Sequence, residues 1–311
     1  MEEKSGLIIS VVLCTFRRPD MLRLALQGLA EQTIAQKYFE VLVVDNNSQD
    51  KTREVSESFA RVLPLRYINE ERQGLSHARN RGVLESQGEY VAFLDDDAIP
   101  DEAWLETAKN LLSHPEDKFD CIGGPIFPFY TTEKPDWFKD KYETRSWGDK
   151  PRFLDRWQAF AGSNMIWRKE MINKLGGFDV SLGMSGENLA LGEDSKLFFA
   201  LWKQYPGARV FYSPQLVVKH WTPIEKMNIE YQKRRSIAKG VSSYYIHKTT
   251  WSPLKRTVWF VKLIGGVIVF SILALVNKRN YIDKRNWLIE EWYRVIIWYM
   301  ELLTILGFNR A

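Results

Sequence analysis

Three consecutive carboxylates, Asp95-Asp96-Asp97, close an apolar run in this chain of 311 residues. Like charges packed together repel, and each prefers water to a protein interior, so the cluster calls for a positive partner. A divalent cation answers that need, because hard oxygen ligands suit Mg²⁺ or Mn²⁺ held jointly with the phosphates of a substrate. Asp-x-Asp spacing can set Asp95 and Asp97 on one side of a strand end. The plainer alternative is a solvated acidic turn, since Asp is common in turns. Further along, Glu193-Asp194 stands between a glycine-bearing loop and a helical pattern, with Glu187 near it, and His220 follows Val217-Val218-Lys219. An acid at a helix start is ordinarily a cap or a dipole partner, and a lone histidine is more often structural than a ligand.

These groups need elements to hold them. Residues 7–13 form a β-branched apolar run that predicts a buried strand. Pro19 opens a helix whose apolar face is Met21, Leu22, Leu24, Ala25, Leu26 and Leu29. Residues 41–44 predict a second strand that ends at Asp45-Asn46-Asn47-Ser48, and a polar helix follows from about Lys51. Residues 65–68 predict a third strand, 75–86 a helix closed by Gly88, and 90–94 a fourth strand that stops at the three aspartates. Strand, helix, strand, helix implies an α/β fold, a parallel sheet with helices on both faces. Ligands of such sheets bind beyond the carboxyl ends of the strands. Those ends carry Thr15, Asp45 and Asp95–Asp97.

From about 120 to 225 the pattern is irregular and rich in Gly, Pro and aromatic residues, and it predicts the acceptor-side half of the same domain. Trp137, Phe138, Trp147 and Trp157 have two uses open to them, stacking on a substrate or filling the core, and core is the expectation for most. The glycines of 183–186 predict a loop that moves over the site and orders when substrate binds. The last third changes character. Residues 258–276 carry a single charge, Lys262, and are about long enough for a bilayer-crossing helix of roughly 20 residues. Residues 287–308 mix apolar and charged side chains and read as interfacial. Trp251, Trp259, Trp287, Trp292 and Trp298 suit a headgroup-level belt, and the basic stretch 226–256 suits an anionic membrane surface. A buried helix pair or a dimer interface is the alternative. The organisation expected is a catalytic domain at 1–225 and a helical, membrane-associating extension at 226–311.

With 45% hydrophobic and 26% charged residues the chain can bury a core, so disorder is excluded as a default. Its net charge of +4 does not imply nucleic acid. Two cysteines, Cys14 and Cys121, give no disulfide framework and fit a reducing compartment. The polar N-terminus does not read as a signal peptide, so the catalytic part is expected at the cytoplasmic face of a membrane.

Together the motifs resemble a family. Val11-Val12-Leu13-Cys14-Thr15-Phe16-Arg17-Arg18-Pro19, Val43-Val44-Asp45-Asn46-Asn47-Ser48-Gln49-Asp50, Gly74-Leu75-Ser76-His77-Ala78-Arg79-Asn80-Arg81-Gly82 and Phe93-Leu94-Asp95-Asp96-Asp97 follow the order and spacing of glycosyltransferase family 2. Gly176-Gly177-Phe178-Asp179 and Gly192-Glu193-Asp194 resemble it too, so the likeness covers about residues 5–225. It implies the GT-A fold, a Rossmann-like mixed sheet flanked by helices, and an inverting transfer from a nucleotide-sugar donor, UDP-linked by first preference. It implies that Thr15, Asp45, Arg79, Asp95 and Asp96 hold the donor and that Asp97 and His220 hold Mn²⁺ or Mg²⁺. It further implies that Asp194 is the general base, and that Glu193 and Trp157 lie on the acceptor side. Many relatives carry a small residue between the two aspartates and an acid after them. Here Asp96 and Ala98 stand there, which blurs the division of labour among the carboxylates.

The chemistry agrees with that implication. A nucleoside diphosphate leaving group needs its charge neutralised, which a metal does without proton transfer. A weak acceptor hydroxyl needs a base within hydrogen-bond reach. The acceptor expected is a lipid-linked or growing glycan, given the apolar tail. Two other readings compete: a sugar-1-phosphate nucleotidyltransferase, which would need a glycine-rich loop where Thr15-Phe16-Arg17-Arg18-Pro19 stands, and a non-catalytic membrane-anchored partner that only binds nucleotide sugars.

Overall fold

A computed structural model describes residues 6–113, 118–184 and 192–308. The chain divides into two compact units. The first comprises residues 1–129, 143–186 and 193–221; the second comprises 130–142, 187–192 and 222–311.

The first unit is built on β1 (Ile9–Thr15), β2 (Phe39–Asp45), β3 (Leu65–Asn69) and β4 (Tyr90–Asp95), which lie parallel in the order β3-β2-β1-β4. Both faces of β2 are buried along its whole length, as a parallel strand covered by helices requires. The covering helices are α1 (Pro19–Ala30), α2 (Thr52–Ser58) and α3 (Leu75–Glu85). Pro19 begins α1 where its missing N–H costs nothing, and Leu22, Ala25, Leu26 and Leu29 turn inward. Pairing sets Thr15 opposite Asp45 and Cys14 opposite Asp95, so the polar ends of three strands lie abreast.

After β4 the chain makes β5 (Ala98–Pro100), α4 (Trp104–Leu112), β6 (Cys121–Gly123), β7 (Ile126–Phe129), β8 (Arg152–Phe153), β9 (Met165–Arg168), α5 (Lys169–Leu175), α6 (Glu193–Gln204), β10 (Val210–Tyr212) and β11 (Val218–Trp221). Strand β9 runs antiparallel between β4 and β6, which makes the eight-stranded sheet mixed. A three-stranded sheet, β5-β11-β7, brings His220 opposite Ala98. Asn164 stitches this half together: it accepts from Trp104 Nε1 at 3.0 Å and donates to the carbonyls of Pro125 and Leu216 at 3.0 and 2.7 Å.

The second unit holds α7 (Ile229–Thr250), α8 (Pro253–Asn277), α9 (Lys284–Trp287), a π turn at Leu288–Trp292, and α10 (Tyr293–Ile305). Helix α8 is the span candidate: within the 28 residues Pro253–Asn280 an 18-residue window has mean hydropathy 2.4, and only 17% of that window is buried. Its other side packs on α10, where Trp298 lies so close to Gly266 that a Cβ there would meet the ring at 1.8 Å. The tail carboxylates read from sequence as interfacial have internal partners. Glu301 accepts from Ser243 Oγ at 2.9 Å and Trp259 Nε1 at 2.8 Å, and Glu290 binds Lys139, Lys141 and Tyr142 of the same unit. The tryptophans expected to form a belt partly pack on one another, Trp251 edge to face with Trp259 and Trp259 tilted against Trp298, with centroids 5.5 and 5.6 Å apart. Trp137 and Phe138 are buried in this unit, whereas Trp147 and Trp157 of the first unit are exposed.

Gly82 decides how closely α3 approaches β1, since a Cβ there would lie 2.4 Å from Val12 Cγ1. Gly82→Ala is expected to destabilise the protein by about 1–3 kcal/mol through overpacking. In urea the midpoint should fall with the slope unchanged; an unmoved midpoint would show that the helix can lift off freely.

Candidate active site

The site begins at the turn from β4 to β5. Asp95 ends one strand, Ala98 begins the next, and the three carboxylates diverge within this turn. His220 reaches them across the β5–β11 pairing: its Nε2 lies 3.0 Å from Asp97 Oδ1 and 3.6 Å from Asp95 Oδ2. One ligand atom from each of Asp95, Asp97 and His220 can be chosen so that all lie within 4.8 Å of one another. Nδ1 of His220 is 3.1 Å from the carbonyl of Trp221. With the proton on Nδ1, that contact fixes the ring and turns the Nε2 lone pair toward the carboxylates, the usual support of a metal-ligating histidine. Two carboxylates and an imidazole suit Mn²⁺ or Mg²⁺, so the residues present fit the metal expected of them.

Asp96 faces the other way. Its Oδ2 accepts from Thr15 Oγ1 at 2.7 Å, and Arg18 reaches its Oδ1 at 3.5 Å and Asp97 Oδ2 at 3.1 Å. Burial, and then the charge of Asp97, push the Asp96 carboxyl up to about 7 despite Arg18. Burial also pushes Asp95 upward, but contact with His220 in its protonated form, which would yield that proton to ligate a metal, and the charge of Arg79 outweigh it and hold Asp95 below its ordinary value. Asp45 is closely engaged. Its Oδ1 accepts from Ser48 N at 3.0 Å, and its Oδ2 accepts from Tyr67 OH at 2.6 Å. A base N–H contacting Asp45 would therefore share an oxygen already bonded, which a carboxylate's spare lone pairs permit.

Arg79 links the metal-side cluster to the start of α6. It is 3% exposed, donates from NH1 to Glu193 Oε1 at 2.7 Å, and has NH2 3.4 Å from Asp95 Oδ1. The sequence places the helix from Ser195; the structure starts it at Glu193, so both acids sit in its first turn. Asp194 is oriented by two backbone donors, Gly162 N–H to Oδ2 at 2.9 Å and Ser195 N–H to Oδ1 at 2.6 Å. Gly162 serves twice, because a Cβ on it would fall 2.3 Å from Arg79 NH2. Trp157 packs on Phe199 of α6 at 5.6 Å between centroids. It lies further along that helix than Asp194 and makes no described contact with the carboxylates. Of the loop expected to move, Gly183 and Met184 are described, with the Met184 carbonyl accepting from Leu75 N at 2.9 Å. Ser185, Gly186 and the neighbouring Glu187 lie outside the described residues.

A family model, "Glycosyl transferase family 2", matches residues 10–176. The chain belongs to that family. It is a glycosyltransferase, and two relatives that match it over most of their length carry names from glycan synthesis. The chain is 27% identical over 223 residues to glucosyl-dolichyl phosphate glucuronosyltransferase of Haloferax volcanii, covering 68% of each chain. It is 26% identical over 281 residues to succinoglycan biosynthesis protein ExoM of Rhizobium meliloti, covering 86% of this chain and 84% of that one. Among solved structures, the mannosyltransferase PcManGT of Pyrobaculum calidifontis in complex with GDP-Man and Mn²⁺ matches with a TM-score of 0.62 at 19% identity, over 95% of this chain and 86% of that one. Staphylococcus aureus TarS 1–349 in complex with UDP matches at 0.57 and 16% identity, over 97% and 92%. At those identities the structural likeness shows the fold, which is the GT-A-like mixed α/β fold.

Two members of this glycosyltransferase's site carried no role in the sequence. Arg18 is one; the signal was the triplet's need for a cation near the neighbouring strand end, with Arg17 and Arg18 both within reach. Gly162 is the other; it lies in a turn closed by Asn164 N–H to the Ala161 carbonyl at 3.1 Å, and its backbone does not take the left-handed conformation that would require glycine. Removing Arg79 leaves Glu193 buried beside Asp194 with no cation. Arg79→Ala is therefore expected to cost roughly 3 kcal/mol or more in unfolding free energy. Glu193→Gln, which keeps an acceptor for NH1, should cost less. Equal midpoints for Arg79→Ala and the parent in urea would refute the assignment.

Proposed function

We propose that this glycosyltransferase moves a sugar from a nucleoside diphosphate donor, UDP-linked by preference, to a hydroxyl of a lipid-linked or growing glycan, with inversion at the anomeric carbon. The carrying observation is the convergence of Asp95, Asp97 and His220 at one sheet end, with Asp194 connected to them through Arg79 and Glu193. Asp95, Asp97 and His220 would hold the metal, which when bound supplies Lewis-acid stabilisation of the departing diphosphate. Thr15 and Asp45 border the donor pocket at the adjoining strand ends. Asp194, aimed by its two backbone donors, takes the proton of the acceptor hydroxyl as the new bond forms. With one base and a stabilised leaving group, a single displacement suffices, and its outcome is inversion.

The lipid-linked acceptor is supported by the tail and by the dolichyl-phosphate relative's name. On α8 the side chains Val258, Val261, Ile264, Ile268, Ile272 and Val276 are exposed at helical spacing. They form an apolar stripe about 27 Å long at 1.5 Å per residue, close to the roughly 30 Å of a bilayer core. We read this unit as associated with the cytoplasmic face of the membrane. Ile268 and Ile272 are 57% and 56% exposed, so replacing both with Asp should leave the fold intact and shift the protein from the membrane fraction to the soluble one. Unchanged partition, with an unchanged melting curve, would remove α8 from the membrane.

The central test is nucleoside diphosphate release across a panel of nucleotide sugars, with Mn²⁺, Mg²⁺ or chelator. Chelation should abolish release. Asp194→Asn should lower turnover by about 10²–10⁴-fold while calorimetry still detects donor binding. Full activity of Asp194→Asn would eliminate it as the base, and activity in chelator would eliminate the metal.

A further inference from the structure

The second unit contains a cavity of about 420 Å³ that the transfer chemistry does not use. It lies where the C-terminal part of α7, the first turns of α8 and the end of α10 meet. Lys248 and Arg256 supply its cations, Trp259, Phe260 and Leu306 its apolar wall, and Glu301 its acid. The Glu301 carboxylate accepts from Ser243 and Trp259 of the same unit. Arg256 differs. Its Nε is fully buried and has no hydrogen-bond partner among the described residues. A buried guanidinium N–H without an acceptor is costly, and an anionic oxygen is the acceptor that suits it best.

The cavity's place in the unit narrows the anion. The exposed apolar face of α8 runs from Leu254 through Val258 onward, so Arg256 lies at its first turn, and Trp251 meets Trp259 edge to face beside the opening turns. Cations and tryptophans at the head of an apolar helix are the pattern of the headgroup layer. The volume lies within the usual range of ligand pockets, about 300–1,000 Å³. It combines a charged part with an aromatic part, as a phosphate esterified to an apolar chain requires. We infer that this cavity binds the phosphate headgroup of an anionic lipid, with Arg256 and Lys248 on the phosphate and Trp259 and Phe260 against the start of the chain. The inference rests on the membrane association proposed above.

The test is flotation of the full-length protein with vesicles of phosphatidylcholine alone, and with vesicles in which part of it is replaced by phosphatidylglycerol. The parent protein should prefer the anionic vesicles. Arg256→Gln should lose about tenfold or more of that affinity, the size expected for a hydrogen bond to a charged group. Lys255→Gln removes the same charge from the adjacent, exposed position. It should lose no more than about fivefold, the value for a cation in a diffuse surface potential. Arg256→Lys keeps the charge but lacks Nε, and should fall near Arg256→Gln. Lys248→Gln tests the other cation, and circular dichroism checks each fold. Inorganic phosphate at matched concentration should not displace the protein. Equal losses for Arg256→Gln and Lys255→Gln would overturn the inference, and displacement by inorganic phosphate would reassign the cavity to a soluble anion. Equal binding to both vesicle types would refute the cavity's role alone, whereas binding to neither would refute membrane association itself.

Discussion

Three carboxylates in sequence at the end of a buried strand cannot all be charged without cations in contact, and the first unit is organised around supplying them. Asp95 meets Arg79 and His220, Asp97 meets His220 and Arg18, and Asp96 meets Arg18 and the hydroxyl of Thr15. The two arginines differ in one respect that decides their use. Arg79 is 3% exposed and Arg18 is 42% exposed. A buried guanidinium cannot leave without stranding Glu193, so Arg79 is a permanent counter-ion. Arg18 can swing into water at little cost. A dication entering among Asp95, Asp97 and His220 would therefore compete with Arg18 and leave Arg79 in place.

That electrostatic need explains features of the fold that would otherwise be arbitrary. The three-stranded sheet is small, yet its β5–β11 register is what brings His220 to Asp97. A slip of one residue would turn the imidazole to the opposite face. Gly162 is likewise constrained from two sides, by Arg79 where a side chain would be and by Asp194 at its amide. The catalytic carboxylate proposed and the permanent counter-ion thus share one backbone position. A side chain at Gly162 would disturb Arg79 and Asp194 together.

How much of this was legible depended on how local each signal was. The ends of β1, β2 and β4 could be read because apolar runs stop abruptly at Thr15, Asp45 and Asp95, and parallel strands set those ends abreast. The α1 start could be read from Pro19. His220 could be placed only through family resemblance, because its partner strand is remote in sequence and pairing register leaves no local trace. Arg18 could not be separated from Arg17. The choice follows from the backbone at Arg17, which takes φ 55° and lays its own guanidinium over Phe16, 4.9 Å from the ring centre. Glu301 could not be placed from the sequence for the opposite reason. A charge in an amphipathic pattern reads as solvent-facing, whereas here it is 2% exposed and anchors Trp259 from within.

The inward-turned acids of the tail change what kind of extension it is. An amphipathic helix lying loosely on a bilayer needs its charges outward, in water or among headgroups. In this unit Glu290, Glu291 and Glu301 are spent on internal partners: Glu290 on Lys139, Lys141 and Tyr142, Glu291 on Asn277 and Tyr281, and Glu301 on Ser243 and Trp259. Helices α7, α8 and α10 are therefore bound to one another by polar contacts as well as by packing, and residues 130–142 are bound to them. On the membrane association proposed above, the exposed stripe of α8 and the basic residues at its head are what the unit offers a bilayer. The unit is thus a folded body that carries this stripe, and on the membrane association proposed above the stripe meets the bilayer as part of a packed set of helices. With the lipid-linked acceptor proposed above, such a unit would keep the enzyme at the surface where that acceptor is carried.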